Sequence, residues 1–337
     1  MSRYKIVNSK KKHMYMKLIV TGIGALCLMV AIVYFVNSRI EPSTDRRMMV
    51  SASFYPVAFL AEQIGGDLVS VKTIVPPGVE PHDFDPSLRD ITDMYQSKLV
   101  LVNGAGIDSW AERLEGDFQE QGAKVLVLSR SVDIIAATED HEEHEEGHDE
   151  EREEHHEDES MGIDPHFWLD PIAYQKSAEV VLQGFLDVDP AHAAVYRSNF
   201  NRFEREIESL DARFRELSGA RCQIDTVIVS HNAFSYLAKR YGFEVRSLAG
   251  IDPEQEVSVG ELAGVIRFMK EKNIRYILNE PFGNMDMATT IQKEASVEVL
   301  TLNPIEGLFP QDISAGKNYF IVMNENWRTL RKALECE

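Results

Sequence analysis

The sequence predicts an α/β protein made of two Rossmann-like lobes joined by one long, rigid helix. Three observations carry this. Short apolar runs with strand character alternate with helically spaced segments, the mark of a parallel sheet covered by helices. The alternation occurs twice, once on each side of a long polar helical stretch from Ala191 to Leu217 that meets no Gly or Pro until Gly219. At 337 residues the chain also suits two lobes of ordinary domain size.

In the first half, Met49 to Phe54, Val69 to Val75, Leu99 to Val102 and Lys124 to Leu128 read as strands. Helical spacing falls at Val57 to Ile64, Ser87 to Gln96 and Asp108 to Gly116. Asp85-Pro86 and Asp170-Pro171 each read as an N-cap followed by proline in the first helical turn. In the second half, Thr226 to Val229, Val245 to Leu248, Ile274 to Leu278 and Val297 to Leu302 are the strands. Helices cover Ala233 to Tyr241, Val259 to Lys272, Met285 to Ala295 and Trp327 to Leu334. The expected lobes are residues 48–188 and 220–337, with 189–219 as the connecting helix.

Lys and Arg number 35 against 55 Asp and Glu, a net charge of −20 that argues against nucleic acid as a partner. A hydrophobic fraction of 44% excludes wholesale disorder. The charge is uneven, because residues 139–159 hold 14 acids and one Arg. Residues 137–160 therefore read as an acidic loop inserted between elements, unable to pack. That loop also carries His141, His144, His148, His155 and His156, enough for a weak auxiliary metal-collecting segment, against the plainer reading of a solubilising charge run. Cys27, Cys222 and Cys336 lie far apart with no CxxC spacing, which excludes a thiolate zinc knuckle. In an oxidising compartment Cys222 and Cys336 could bridge, and otherwise both are free thiols.

Residues 1–17 hold six basic side chains and no acid, and Leu18 to Val36 is an uncharged run of 19 residues. As a helix that run would extend roughly 28 Å, enough to cross a bilayer core. It reads as a transmembrane signal anchor, or a signal peptide, that leaves the remainder on the extracytoplasmic face with the basic flank inside.

Four residues sit where strands give way to loops: His82 and His166 in the first half, His231 and Glu280 in the second. In open α/β sheets the ligand crevice forms at the carboxyl ends of strands, so an interlobe site would collect all four. Three imidazoles and one carboxylate favour tetrahedral Zn²⁺ over Mn²⁺, which prefers more oxygen donors. His192, at a helix start, reads as a surface residue.

The stretches Pro77-Gly-Val-Glu-Pro-His-Asp-Phe-Asp-Pro86, Asp164-Pro-His-Phe-Trp-Leu-Asp-Pro171, Val229-Ser-His-Asn-Ala-Phe234 and Asn279-Glu-Pro281 resemble the metal-binding solute-binding proteins of ABC importers, the zinc/manganese cluster. The resemblance runs from about Met49 to the C-terminus. It implies one metal between two lobes, and it places the chain with the zinc branch, whose third ligand is His where the manganese branch has a carboxylate. Glu280 stands where some members ligate through Asp or Glu and others through water. An acidic His-rich insertion is likewise a habit of zinc members. The implied partners are an ABC permease membrane subunit and its cytoplasmic ATPase, served by a monomer. A surface metal buffer or adhesin of the same fold, or binding of Mn²⁺ or another divalent metal, is the alternative.

His144-Glu-Glu-Gly-His148 matches the zincin H-E-x-x-H pattern formally, but it lies among acids with no apolar residue to bury it. A His₃-zinc hydrolase needs an open coordination position that a fourth ligand would fill. The sequence expectation is therefore a transport component and not an enzyme.

Overall fold

Each half of the chain builds one four-stranded, wholly parallel sheet, and the two sheets have the same strand order. In the computed structural model, residues 47–136 and 162–337 are described, apart from 254, 256 and 284. The basic flank 1–17, the apolar run 18–36 and the five histidines of the acidic insertion lie outside the described residues. Among the described residues, no helix is long and apolar enough to cross a membrane.

The first half runs β1 (Met48–Ala52), α1 (Tyr55–Gly65), β2 (Val69–Thr73), α2 (Leu88–Tyr95), β3 (Leu99–Val102), α3 (Ser109–Glu120) and β4 (Lys124–Val127), in sheet order β2-β1-β3-β4. Two helices follow, α4 (Pro171–Val188) and α5 (Ala193–Gly219). The second half repeats the scheme with β5 (Thr226–Val229), α6 (Ser235–Tyr241), β6 (Glu244–Ser247), α7 (Val259–Lys272), β7 (Tyr276–Asn279), α8 (Met285–Ala295) and β8 (Glu298–Thr301), in order β6-β5-β7-β8. The chain closes with α9 (Pro310–Ser314) and α10 (Tyr319–Ala333). Register is fixed by pairs such as Val50 with Val71 and Leu99, and Ile228 with Arg246 and Ile277. The central strands β3 (Leu-Val-Leu-Val) and β5 (Thr-Val-Ile-Val) are buried throughout, as expected of parallel sheets covered on both faces.

Local chemistry sets the helix limits. Asp170 accepts from the Ile172 amide and Pro171 opens α4, as the sequence indicates. The start of α2 differs from expectation: Ser87, and not Asp85, is its N-cap. Ser87 and Asp90 cap one another's backbone amides, and this reciprocal pair outcompetes the Asp-Pro signal. Likewise α10 begins at Tyr319, well before Trp327, because the Asn318 side chain accepts from the Ile321 amide. Helix α5, preceded by a 3₁₀ turn over Pro190–His192, buries a stripe of Tyr196, Phe200, Phe203, Ile207, Leu210, Phe214 and Leu217 at helical spacing. The opposite face is charged, which is why the stretch looks polar in sequence.

One apolar core runs through both halves and includes Phe59, Phe185, Phe214, Tyr241 and Tyr319. Helix α10, last in sequence, packs on the first half: Tyr319 lies 4.4 Å from Tyr174 and 5.9 Å from Phe59 between ring centres, and Phe320 lies 5.7 Å from Phe59. Polar ties cross the halves as well. The Tyr236 hydroxyl donates to the Asp164 carbonyl at 3.0 Å and accepts from the Ile135 amide at 2.9 Å. Trp168 Nε1 donates to the Pro304 carbonyl at 2.7 Å, and Arg240 pairs with Asp170. Tyr236→Phe is expected to destabilise the protein by about 1–3 kcal/mol, because it strands a half-buried amide and a buried carbonyl. Urea unfolding of the two proteins would measure this.

Cys222 and Cys336 are joined by a disulfide that closes a span of 114 residues. It ties the chain's end to the approach to β5. A loop of this length is worth roughly 5 kcal/mol in the chain-entropy account. Reduction should therefore lower the melting temperature markedly without touching the interlobe cleft, as thermal unfolding with and without a thiol reductant would show.

Candidate metal centre

The loops at the carboxyl ends of both sheets meet in the cleft. His82 is carried by the β2–α2 loop and His231 follows β5 directly. His166 lies in the segment between β4 and α4 and opens a 3₁₀ turn over Phe167–Leu169. These three imidazoles converge with Glu306, from the segment after β8, so that one ligand atom from each lies within 4.8 Å of all the others. Nε2 of His166 stands 3.3 Å from Nε2 of His82 and 3.4 Å from Nε2 of His231. Glu306 Oε1 is 3.1, 3.4 and 3.6 Å from the Nε2 atoms of His166, His231 and His82 respectively. A tetrahedron with arms of about 2.05 Å, the Zn–N and Zn–O length, has edges of about 3.3 Å. Five of the six observed separations are close to those edges, and the sixth, between His82 and His231, lies within 4.8 Å.

Carboxylates set the tautomers. His166 Nδ1 lies 2.9 Å from Asp164 Oδ1, which also accepts the His166 amide. His231 Nδ1 lies 2.5 Å from Glu280 Oε1, and Glu280 is further held by the Ser230 hydroxyl. With Nδ1–H donated, each Nε2 can turn its lone pair on a cation at the centre once it gives up its own proton. Glu280, expected from sequence as the fourth ligand, thus stands behind His231, and Glu306 takes the fourth corner. Glu280 is buried but falls outside the converging group. The second oxygen of Glu306 is buried with no protein partner, a place that suits a cation.

Glu306 is aimed by an unusual turn. Ile305 has φ of +61°, a left-handed conformation that is rare for a β-branched residue, yet its side chain is fully buried. Its amide donates to Asn303 Oδ1, and Asn326 on α10 grips Asn303 through both its amide and its carbonyl. The missed signal was the internal repeat. Asp164-Pro165-His166 follows the fourth strand of the first sheet, and Asn303-Pro304-Ile305-Glu306 follows the fourth strand of the second.

The centre is enclosed and rich in carboxylates. His166, His231 and Glu306 are buried, and only His82 has part of its side chain exposed. Phe282 and Phe309 pack 4.5 Å apart beside Gly307, the neighbour of Glu306, and beside the Gly78–Val79 turn. Burial disfavours a charge on His231, but Glu280 and then Glu306 outweigh it and raise its pKa well above the ordinary value. His166 is raised too, burial being overcome by Asp164 and Glu306. Burial opposes ionisation of Glu306, yet hydrogen bonds from the three imidazoles hold its carboxyl well below the usual range. Burial and the charge of Glu306 push Glu80 up to about 8. His192 lies elsewhere, half-exposed and bonded to Asp189.

Residues 50–333 match the family ZnuA, described as zinc-uptake complex component A, periplasmic. The chain belongs to the ZnuA family. It is 31% identical over 301 residues to the high-affinity zinc uptake system protein ZnuA of Bacillus subtilis, an alignment covering 88% of this chain and 92% of that protein. It is 28% identical over 327 residues to the zinc-binding lipoprotein AdcA of Streptococcus pneumoniae, covering 96% of this chain but only 62% of AdcA's length. The Zn(II)-bound ZnuA-like domain of that AdcA superposes with a TM-score of 0.72 at 25% identity, over 86% of this chain and 99% of the domain. The laminin-binding protein Lmb of Streptococcus agalactiae, described as a bifunctional protein with adhesin and metal transporting activity, gives 0.72 at 26% identity over 86% and 99%. The two α/β lobes linked by a long helix that the sequence predicts are the fold found, and each lobe carries a parallel sheet.

Proposed function

We propose that this ZnuA-family chain captures Zn²⁺ outside the cytoplasm and hands it to the permease of an ABC importer driven by a cytoplasmic ATPase. His82, His166, His231 and Glu306 are the ligands, while Asp164 and Glu280 hold His166 and His231 in the ligating tautomer. The observation that carries this reading is the set of 3.1–3.6 Å edges between three Nε2 atoms and one carboxylate oxygen. Four protein ligands leave no open coordination position, so the chain acts as a carrier and not as a hydrolase. The N-terminal segment holds it at the membrane.

Calorimetric titration tests this. Zn²⁺ should fill one tight site that survives deletion of residues 137–160 and is lost in His231→Ala. Tight binding that disappears with the insertion would make the protein a surface metal buffer.

A further inference from the structure

The long helix α5 turns a row of arginines toward the last helix of the chain. Arg202, Arg205 and Arg213 lie on one stripe of α5 and line a pocket of about 300 Å³ against α10. Leu210 from α5 and Phe320 from α10 supply its apolar part, and the Phe320 ring packs 5.6 Å from that of Phe203. Asn324 lines it from the α10 side. None of these residues belongs to the metal centre.

The row is not neutralised. Arg215, further along α5, pairs with Asp211, but among the described residues Arg202, Arg205 and Arg213 have no carboxylate partner. Glu206 is the one acid in the lining, which leaves a surplus of two positive charges in a chain whose net charge is −20. Like charges three residues apart on a helix repel, so Arg202 and Arg205 stand side by side at a cost to α5. Arg213 is held by other means. It donates to the Asn324 side chain, and its guanidinium lies 5.5 Å over the Trp327 ring. Arg331 lies over the same ring at 5.2 Å, and Trp327 Nε1 is buried with no partner among the described residues. A guanidinium already preset by stacking loses little freedom when it takes an anion.

We propose that the groove between α5 and α10 binds a linear polyanion carrying several phosphate groups. A guanidinium fork takes phosphate oxygens two at a time, and the apolar part of the groove strengthens each such contact by lowering the local dielectric. The row from Arg202 to Arg213 extends roughly 16 Å along the helix axis, which is too long for one phosphate to bridge and suits a chain of them. A concave site between two helices favours an inserted chain over a flat lipid surface. The proposal is independent of the uptake reading.

The test is calorimetric titration of the full chain, stripped of metal and held in a neutral detergent, with tripolyphosphate. It is run at about 0.15 M salt, where diffuse surface attraction is largely screened. Tripolyphosphate should fill one site, and orthophosphate should bind about tenfold more weakly or worse, having lost at least one charged contact. Arg202→Gln, Arg205→Gln and Arg213→Gln should each weaken tripolyphosphate about tenfold, the worth of one charge-assisted hydrogen bond. Arg205→Lys should weaken it too, because an ammonium keeps the charge but lacks the fork. Arg267→Gln, which removes an exposed arginine from α7, should bind as the wild type does. All four arginines are exposed and glutamine is a good helix former, so the variants should melt with the wild type. No binding of tripolyphosphate, or an equal loss in Arg267→Gln and the groove variants, overturns the proposal and leaves the uptake reading standing. If the chain ignores tripolyphosphate but sediments with phosphatidylglycerol vesicles in a manner that Arg205→Gln abolishes, the row is a membrane contact and the proposal is wrong.

Discussion

Glu306→Gln is expected to weaken zinc binding by about 100- to 1000-fold, since structural zinc sites are worth about 10–16 kcal/mol shared among four ligands. Glu280→Gln should cost less, about 10- to 100-fold, the range for groups that orient a ligand from behind. The two carboxylates differ in position as well as in degree. Glu306 Oε1 faces all three Nε2 atoms, whereas Glu280 contacts Nδ1 of His231 on the far side of the ring. Substituting Co²⁺ separates the roles. Loss of Glu306 should alter the visible ligand-field bands of the bound ion, and loss of Glu280 should leave them in place while affinity falls. Unchanged bands in Glu306→Gln, with altered ones in Glu280→Gln, would return the fourth corner to Glu280.

The second large effect is a divergence in pH dependence between the metal-free and zinc-loaded forms. His231 and His166 have native pKa values raised above 6.5, so their stabilising contribution is complete below that value. It is lost as pH rises through the raised native values. Glu306, depressed below 4.5, contributes above that value and loses its contribution only as pH falls toward its native pKa. The metal-free site should therefore lose stability as pH climbs above 6.5. Zinc displaces the imidazole protons, so its affinity should rise over the same interval. The melting-temperature increment from saturating zinc should widen steadily from pH 5.5 to 8.5 in a differential scanning experiment. An increment flat across that range would contradict proton competition at these histidines. Free imidazoles would place the competition near 6.5. The carboxylates behind and beside the rings extend it upward.

Much of the architecture was legible because it rests on local patterning. The fully buried runs at β3 and β5, the cap at Asp170-Pro171 and the apolar stripe of α5 each follow from residue type at fixed spacing. Three histidines were legible because a histidine at a strand end stands out among apolar and small residues. Glu306 was not, in a chain with 55 acids, because what distinguishes it is non-local. Its turn is held by Asn326, some twenty residues later on another helix, in a conformation that Ile305 would not choose unaided. Glu280 was legible beside the cluster, but its place behind His231 was not, for a related reason. Sequence placed it beside the cluster, but which oxygen faces which nitrogen is decided only by packing. The start of α2 shows the same limit at short range, where two overlapping capping signals compete and the reciprocal one prevails.

The crossing of α10 onto α1 has a consequence for the order of events when the chain is made. Phe59, among the earliest core residues, finishes its ring contacts only with Tyr319 and Phe320, near the very end. Such widely separated contacts delay folding, because loop closure must precede the reward. The first half emerges with part of its core surface still waiting for the last helix. A nascent chain in that condition is expected to stay loosely structured until α10 is available. Late closure of this kind fits the extracytoplasmic capture proposed above, because a chain exported before folding has to stay unfolded for that long.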